Sequence, residues 1–218
     1  MKIEEFINNC LEAIGKELSL QTIFSLYSKI DRKTLLEDNI LQQYQLDIYR
    51  LQGGRIRIEK HFQEQKIITI INGLDAIERT EVLVEKSPIL INTISLNQQQ
   101  IMEIKRSVRL YPRNFLAHIS EYQCDFKGLE VIDNISLYAI DFLAEEVTYY
   151  FDPDTFFCLS LIDSKQNSKV FYSDYRNVNN IFTPFEEKTI LENQTQIDKL
   201  KTIEHNLKLP DELFLIKY

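Results

Sequence analysis

The sequence contains no tryptophan, and its 218 residues include only five glycines, five prolines, three cysteines and three histidines. So little glycine and proline excludes collagen-like and low-complexity Pro/Gly classes. Cys10, Cys124 and Cys158 are far apart, which is neither a disulfide framework nor zinc-ligand spacing. They read as small buried hydrophobes. His61, His118 and His205 are scattered, and none stands in an HExxH pattern. There is no glycine-rich phosphate loop, since Gly53-Gly54 fits a hairpin turn, and no GxSxG. No apolar run approaches the roughly 18 residues a spanning helix needs. Positive charge is in deficit, 25 Lys and Arg against 33 Asp and Glu, for a net charge of −8. That argues against a nucleic-acid partner, whose phosphates require a basic surface, and against electrostatic docking on an anionic membrane. The opening MKIEEFINNCLEAIGKE has early acidic residues and no apolar h-region, unlike a signal peptide, and Asn8-Asn9-Cys10 is unlike a lipoprotein cleavage box. The expected location is cytoplasmic if the chain is complete as given, and periplasmic or envelope-associated if a leader was removed.

What is present favours strands. Hydrophobic residues make up 44%, with 13 Phe and 11 Tyr, and a chain of this size buries about 70% of its unfolded surface. Ile3, Phe6, Ile7, Cys10, Leu11 and Ile14 recur at helical spacing, with Gly15 placed to stop the helix. A strand is predicted over Leu20 to Ile30, and Lys33 to Ile40 is ambiguous. Tyr44, Leu46 and Ile48 alternate with polar residues, as do Ile56 and Ile58, with Gln52-Gly53-Gly54 as the turn between. Asn72-Gly73 separates Ile67 to Ile71 from the strand Ala76 to Val84. Residues 85 to 95, with Pro88, are predicted as a loop, followed by a helix over Leu96 to Leu110 capped by Ser95. Asn114 to Glu121 reads as a second short helix. Strands are then predicted near 122–133, 136–143, 147–152, 156–163, 168–178, 181–192 and 196–206, separated by turn dipeptides such as Asn179-Asn180. Short, evenly spaced strands mean a sandwich, barrel or open curved sheet. The simplest organisation is one domain over 1–218.

Chemistry-bearing patterns are weak. Asp152-Pro153-Asp154, with Asp174 nearby, offers paired carboxylates, but the spacing fits turn chemistry better. Arg50, Arg55, Arg57, Lys60 and Lys66 read as a solvated sheet face, as do Arg106 and Arg109 on a helix. No catalytic set, metal site or cofactor is expected. Apolar and aromatic density stands out instead: Tyr138, Ile140 and Phe142 share one strand face, and Tyr149-Tyr150-Phe151 and Phe156-Phe157 follow. Either the sheet curls on itself to fill a core, or a cavity remains for a lipid-like guest.

The order of segments resembles the outer-membrane lipoprotein-sorting family, the LolA/LolB/RseB-like group. The helix closing on Ala13-Ile14-Gly15 is similar to that family's opening helix. The runs YRLQGGRIRIEKHFQEQKIITIINGLDAIE (49–78), YYFDPDTFFCLSL (149–161), FYSDYRNVNNIFTPFEEKT (171–189) and IEHNLKLPDELFLI (203–216) resemble its paired strands and closing segment, in order along nearly the whole chain. The sequence departs from the pattern at Asn72 (usually Asp), Ile77 (usually Trp) and Asn179-Asn180 (usually Asp-Gly). The resemblance implies a mainly β (α+β) fold, a long curved antiparallel sheet forming an open half-barrel with a few helices as a lid. It implies non-catalytic binding of a lipid-like or lipoprotein acyl ligand, and another envelope protein as a partner. A structural or protein-interaction module without ligand is the alternative. By alternation, the expected lining is Tyr44, Leu46, Ile48, Ile56, Ile58, Ile68, Ile70, Tyr138, Ile140 and Phe142.

Overall fold

The computed structural model describes residues 1–15, 22–37, 39–84, 87–108, 119, 124–132 and 134–216, the side chain of Arg106 excepted. In chain order the elements are α1 (Ile3–Ile14), β1 (Ser25–Leu36), β2 (Asn39–Leu51), β3 (Arg55–His61), β4 (Gln65–Asn72), β5 (Asp75–Val84), β6 (Ser87–Ser95), α2 (Gln98–Ser107), β7 (Cys124–Ile132), β8 (Ile135–Phe142), β9 (Val147–Phe151), β10 (Cys158–Asp163), β11 (Ser168–Val178), β12 (Ile181–Leu191), β13 (Gln194–His205) and a 3-10 helix, Asp211–Phe214. The strands hydrogen-bond in the order β6-β5-β4-β3-β2-β1-β13-β12-β11-β10-β9-β8-β7, an open sequence with β6 and β7 at its ends. The chain divides into two compact units, one of 1–22, 34–41 and 110–199, the other of 23–33, 42–109 and 200–218.

Several sequence expectations are corrected. Residues 87–95 are strand, not loop. Pro88 is tolerated because β6 is an edge strand, where a missing N–H costs no ladder bond. Ser95 is therefore the last residue of a strand, and the cap of α2 is Asn97. Its side chain accepts from Gln100 N at 3.0 Å while Gln100 Oε1 accepts from Asn97 N at 2.9 Å, a reciprocal capping arrangement. The ambiguous stretch around Lys33 completes β1 and opens β2. The short helix expected at 114–121 lies almost entirely outside the described residues, as do Arg109 and His118.

In the first unit, α1 begins with Glu4 and Glu5 in its first turn, which suits the positive end of its dipole. It ends where Gly15 takes φ +120°. Phe6 is fully buried and rests on β7 to β9. Its ring stacks on Phe126 at 4.6 Å and meets Phe151 and Tyr138 edge-on at 5.2 and 5.6 Å. Helix propensity alone does not hold a twelve-residue helix in water; this aromatic contact does. The β11–β12 hairpin turns through Asn179 and Asn180, both at positive φ, the backbone that twisted two-residue hairpins require.

In the second unit, β2 to β5 form antiparallel hairpins, with Ile48 opposite Ile58 and Ile70 opposite Ile77. α2 sits at their turns, where Gln98 donates to Leu74 O and Lys105 to Gly73 O. The 3-10 helix packs on β3 and β4.

Candidate functional site

The pairing registers decide which of the expected lining residues face together. In β2 and β3, Ile48 stands opposite Ile58 and Arg50 opposite Ile56. Side chains alternate along each strand, so Leu46, Ile48, Ile56 and Ile58 share one face. All four are buried. Tyr44 extends this row, its ring 4.8 Å from Phe62. Continuing across β4, Ile56 pairs with Ile71 and Ile58 with Thr69. Ile71 and Ala76, both buried and paired with each other, thus complete this apolar face.

Ile68 and Ile70 point the other way. They pair with Glu59 and Arg57, on the reverse of the sheet from Ile56 and Ile58. With Ile77 they form a separate buried cluster, against which Ile216 packs. The C-terminal segment holds this side. Arg57 donates to Leu213 O at 3.1 Å, Asn72 to Phe214 O at 3.4 Å, and Arg55 pairs with Asp211 at 2.6 Å. The run Ile67-Ile68-Thr69-Ile70-Ile71 is apolar at nearly every position, so alternation within it could not reveal which residues face Ile58. The cross-strand register could.

Tyr138, Ile140 and Phe142 lie in the first unit and share a face as expected. Their partners on β9 are Phe151, Tyr149 and Val147. This face is roofed by α1 through Phe6, with Phe156 stacked on Tyr138 at 5.9 Å. Phe6, Ile140, Phe142, Tyr149 and Phe151 each have no measurable exposure. The reverse of the same strands carries a second cluster, Leu137, Ala139 and Tyr150. The ten residues therefore fall into three groups: one face of β2–β3, the reverse face at β4, and the floor beneath α1.

The polar candidates resolve into structural roles. Asp152 Oδ1 accepts from Thr155 N at 2.7 Å, Thr155 Oγ1 at 2.8 Å and Asp154 N at 3.1 Å. Burial would raise its carboxyl, but these bonds hold it below the usual carboxylate range. It fastens the β9–β10 connection. Asp174 pairs with Arg176 at 2.6 Å. The basic residues expected on one solvated face are split. Arg50 is buried on the side of Ile56, while Arg57 and Lys66 each lie 2.6 Å from the buried Glu59 on the other side. Cys10 and Cys158 are buried free thiols, and Cys124 is half-buried. Burial pushes the thiols of Cys10 and Cys158 far up.

The structure is similar to that of a DUF1329 family protein from Desulfovibrio piger (TM-score 0.60, 14% identity, 98% of this chain and 97% of that one). It is equally similar to a LolA superfamily protein from Nitrosomonas europaea (TM-score 0.60, 12% identity, 99% and 98%). An outer membrane lipoprotein-sorting protein domain from Vibrio parahaemolyticus matches at TM-score 0.55, 7% identity, over 96% and 94%. No family model and no curated protein matches the sequence. The likeness assigns the chain the LolA-like fold, the mainly-β, open half-barrel class that the order of motifs implied.

Proposed function

We propose that this chain is a non-catalytic carrier or binder of a lipid-like ligand, an acyl chain taken up against its apolar sheet faces. The observation that carries the reading is the LolA-like fold together with the apolar floor of Tyr138, Ile140, Phe142, Tyr149 and Phe151 beneath the amphipathic helix α1. The relatives in fold include a lipoprotein-sorting domain. On this reading the chain works in the cell envelope, with a second envelope protein as donor or acceptor. The floor is filled by protein in this structure, so a ligand must displace Phe6 and lift α1 to reach it. Each buried methylene returns about 0.8 kcal/mol. Roughly ten of them offset the lost freedom of association. Among the described residues no helix is long and apolar enough to cross a membrane.

The second reading, an interaction module without ligand, is favoured by the same burial, since a filled core needs no guest. The two separate by experiment. The full chain is purified from cells, extracted with organic solvent and analysed by mass spectrometry, and the stripped protein is titrated with a fluorescent fatty acid. A stoichiometric lipid, or saturable binding displaced by unlabelled acyl chains, supports the carrier. A clean extract with no saturable binding ends it.

A further inference from the structure

We propose that Asp47, Glu59 and His61 form a site for a divalent transition-metal cation, for which Zn²⁺ is the probe, and that the Lys66 ammonium is the internal cation it displaces. Glu59 and His61 lie two residues apart on β3, and the register brings Asp47 of β2 to them. Asp47 stands opposite Glu59 across β2 and β3, His61 follows two positions on along the same face, and Lys66 of β4 stands opposite His61. One donor atom from each of the three lies within 4.8 Å of the others. His61 Nε2 is 2.8 Å from Asp47 Oδ2 and 3.6 Å from Glu59 Oε2. A tetrahedral cation with bonds of about 2.0–2.2 Å sets its donors roughly 3.4 Å apart. The two spacings to His61 bracket that value, and the Asp47 and Glu59 donors lie within 4.8 Å of each other, so side-chain rotations bring the three donors onto one cation.

The donors are also prepared. Tyr27 donates to Asp47 Oδ1 at 2.7 Å, which turns Oδ2 toward His61. Arg57 holds Glu59 Oε1 at 2.6 Å, which leaves Oε2 facing the imidazole. Contacts of this kind orient ligands in metal sites. His61 Nε2 is buried and has no aligned hydrogen bond, close though Asp47 is. Asp47 and Glu59 are only 9% and 7% exposed, and buried carboxylates require compensation. Glu59 has it from Arg57 and Lys66. Among the described residues no Lys or Arg lies within ion-pair distance of Asp47. The mixed imidazole and carboxylate set suits a borderline cation, with a fourth position open to water.

Lys66 Nζ sits 2.6 Å from Glu59 Oε2, the same oxygen a metal would take. Its charge would repel an incoming dication. Its flexible four-carbon stem lets it leave for solvent, and the cost of that departure sets the affinity. Neither carboxylate nor imidazole is in a recognisable metal motif, which is why the sequence alone indicated no metal site.

The test uses the full chain stripped with a chelator. Zn²⁺ is titrated by calorimetry, and the ring signals of the histidines are followed by NMR in the unsubstituted protein. One saturable equivalent is expected, shifting the His61 ring. His61→Ala should weaken binding by about tenfold or more, Lys66→Ala should tighten it by a similar factor, and His205→Ala should leave it unchanged. Absence of saturable binding, a shift confined to another histidine, or unaltered affinity in His61→Ala each overturns the site. A Lys66→Ala variant that does not tighten binding overturns the displacement. The NMR result on the unsubstituted chain stands even if a variant fails to fold.

Discussion

Replacing Gly15 by alanine attacks the point where α1 meets the β11–β12 turn. At φ +120° an L side chain is strained, by about 1–3 kcal/mol. A Cβ would also lie 2.0 Å from Asn180 O and 3.0 Å from Ile181 Cα, where ordinary contact begins at 3.4 Å. Both obstacles are backbone atoms, so the turn or the helix must shift by over an ångström, an overpacking cost of about 1–3 kcal/mol. Alanine stiffens the unfolded chain and returns about 0.4–1 kcal/mol. The expected net loss is about 2–4 kcal/mol, which lowers Tm by roughly 4–16 °C at this chain length. Gly53 separates the two contributions. It has φ +86°, and a Cβ added there would meet nothing within 4 Å, so Gly53→Ala should lose only the conformational part, about 1 kcal/mol. Urea unfolding of both variants at equal m-value measures the difference. A Gly15→Ala protein no less stable than Gly53→Ala refutes the close approach of helix and turn.

Phe6→Ala should cost about 3–5 kcal/mol, and should increase binding of an apolar dye as the aromatic floor opens; unchanged dye binding and stability would place the helix elsewhere. Burial raises all three thiols, but Cys124 is half-buried while Cys10 and Cys158 are enclosed and pushed far up, so in the native protein Cys124 alone should react with a thiol reagent at alkaline pH. Mass spectrometry before and after denaturation counts the modified thiols. Burial pushes the Glu59 carboxyl up, but Lys66 and Arg57 outweigh it and hold the group below its ordinary range. The folded state then binds fewer protons than the unfolded state between the two values. The stabilisation is complete above the ordinary glutamate range and is lost as pH falls through the depressed value. Glu59→Gln should flatten the acid limb of a stability profile, and an unchanged limb would show that the pairing is absent.

Much of the sheet was legible because its turns carry backbone chemistry. Asn179-Asn180 needs positive φ at both positions, and β11 and β12 end and begin beside it as expected. Gly15 likewise marked the end of α1. Pro88 misled, because its meaning depends on whether a strand lies at an edge, which neighbouring residues do not reveal. The face of Ile68 and Ile70 was hidden for a similar reason: an unbroken apolar run has no internal phase, and a slip of one residue inverts it. The floor under Tyr138, Ile140 and Phe142 was visible in alternation, but its roof was not, since Phe6 lies more than a hundred residues away. The meeting of Asp47, Glu59 and His61 required the β2–β3 register. Arg55, Arg57, Glu59 and His61 alternate with Ile56 and Ile58 along β3, but alternation within one strand does not say that Asp47 stands across from them. The C-terminal segment that shelters that face is what the pattern of β3 alone cannot show.

The strand order has a consequence for how the chain is made. Every neighbour in it is consecutive in sequence except β1 and β13. That seam is fastened where Asn206 donates its own backbone N–H to Ser25 O at 2.9 Å, and where Asn206 Oδ1 accepts from Phe24 N at 2.9 Å and Ser25 Oγ donates to Leu207 O, these last two each across a separation of 182 residues. During synthesis the hairpins of β2 to β5 can close soon after they leave the ribosome, whereas β1 waits with one edge bare for the last strand to be translated. Loop closure grows only logarithmically with length, so the final step is tolerable at equilibrium but slow among non-local pairings. A nascent chain arrested before residue 194 would hold β1 open and lack its central strand, and that species, rather than the finished fold, is the one that needs protection from aggregation.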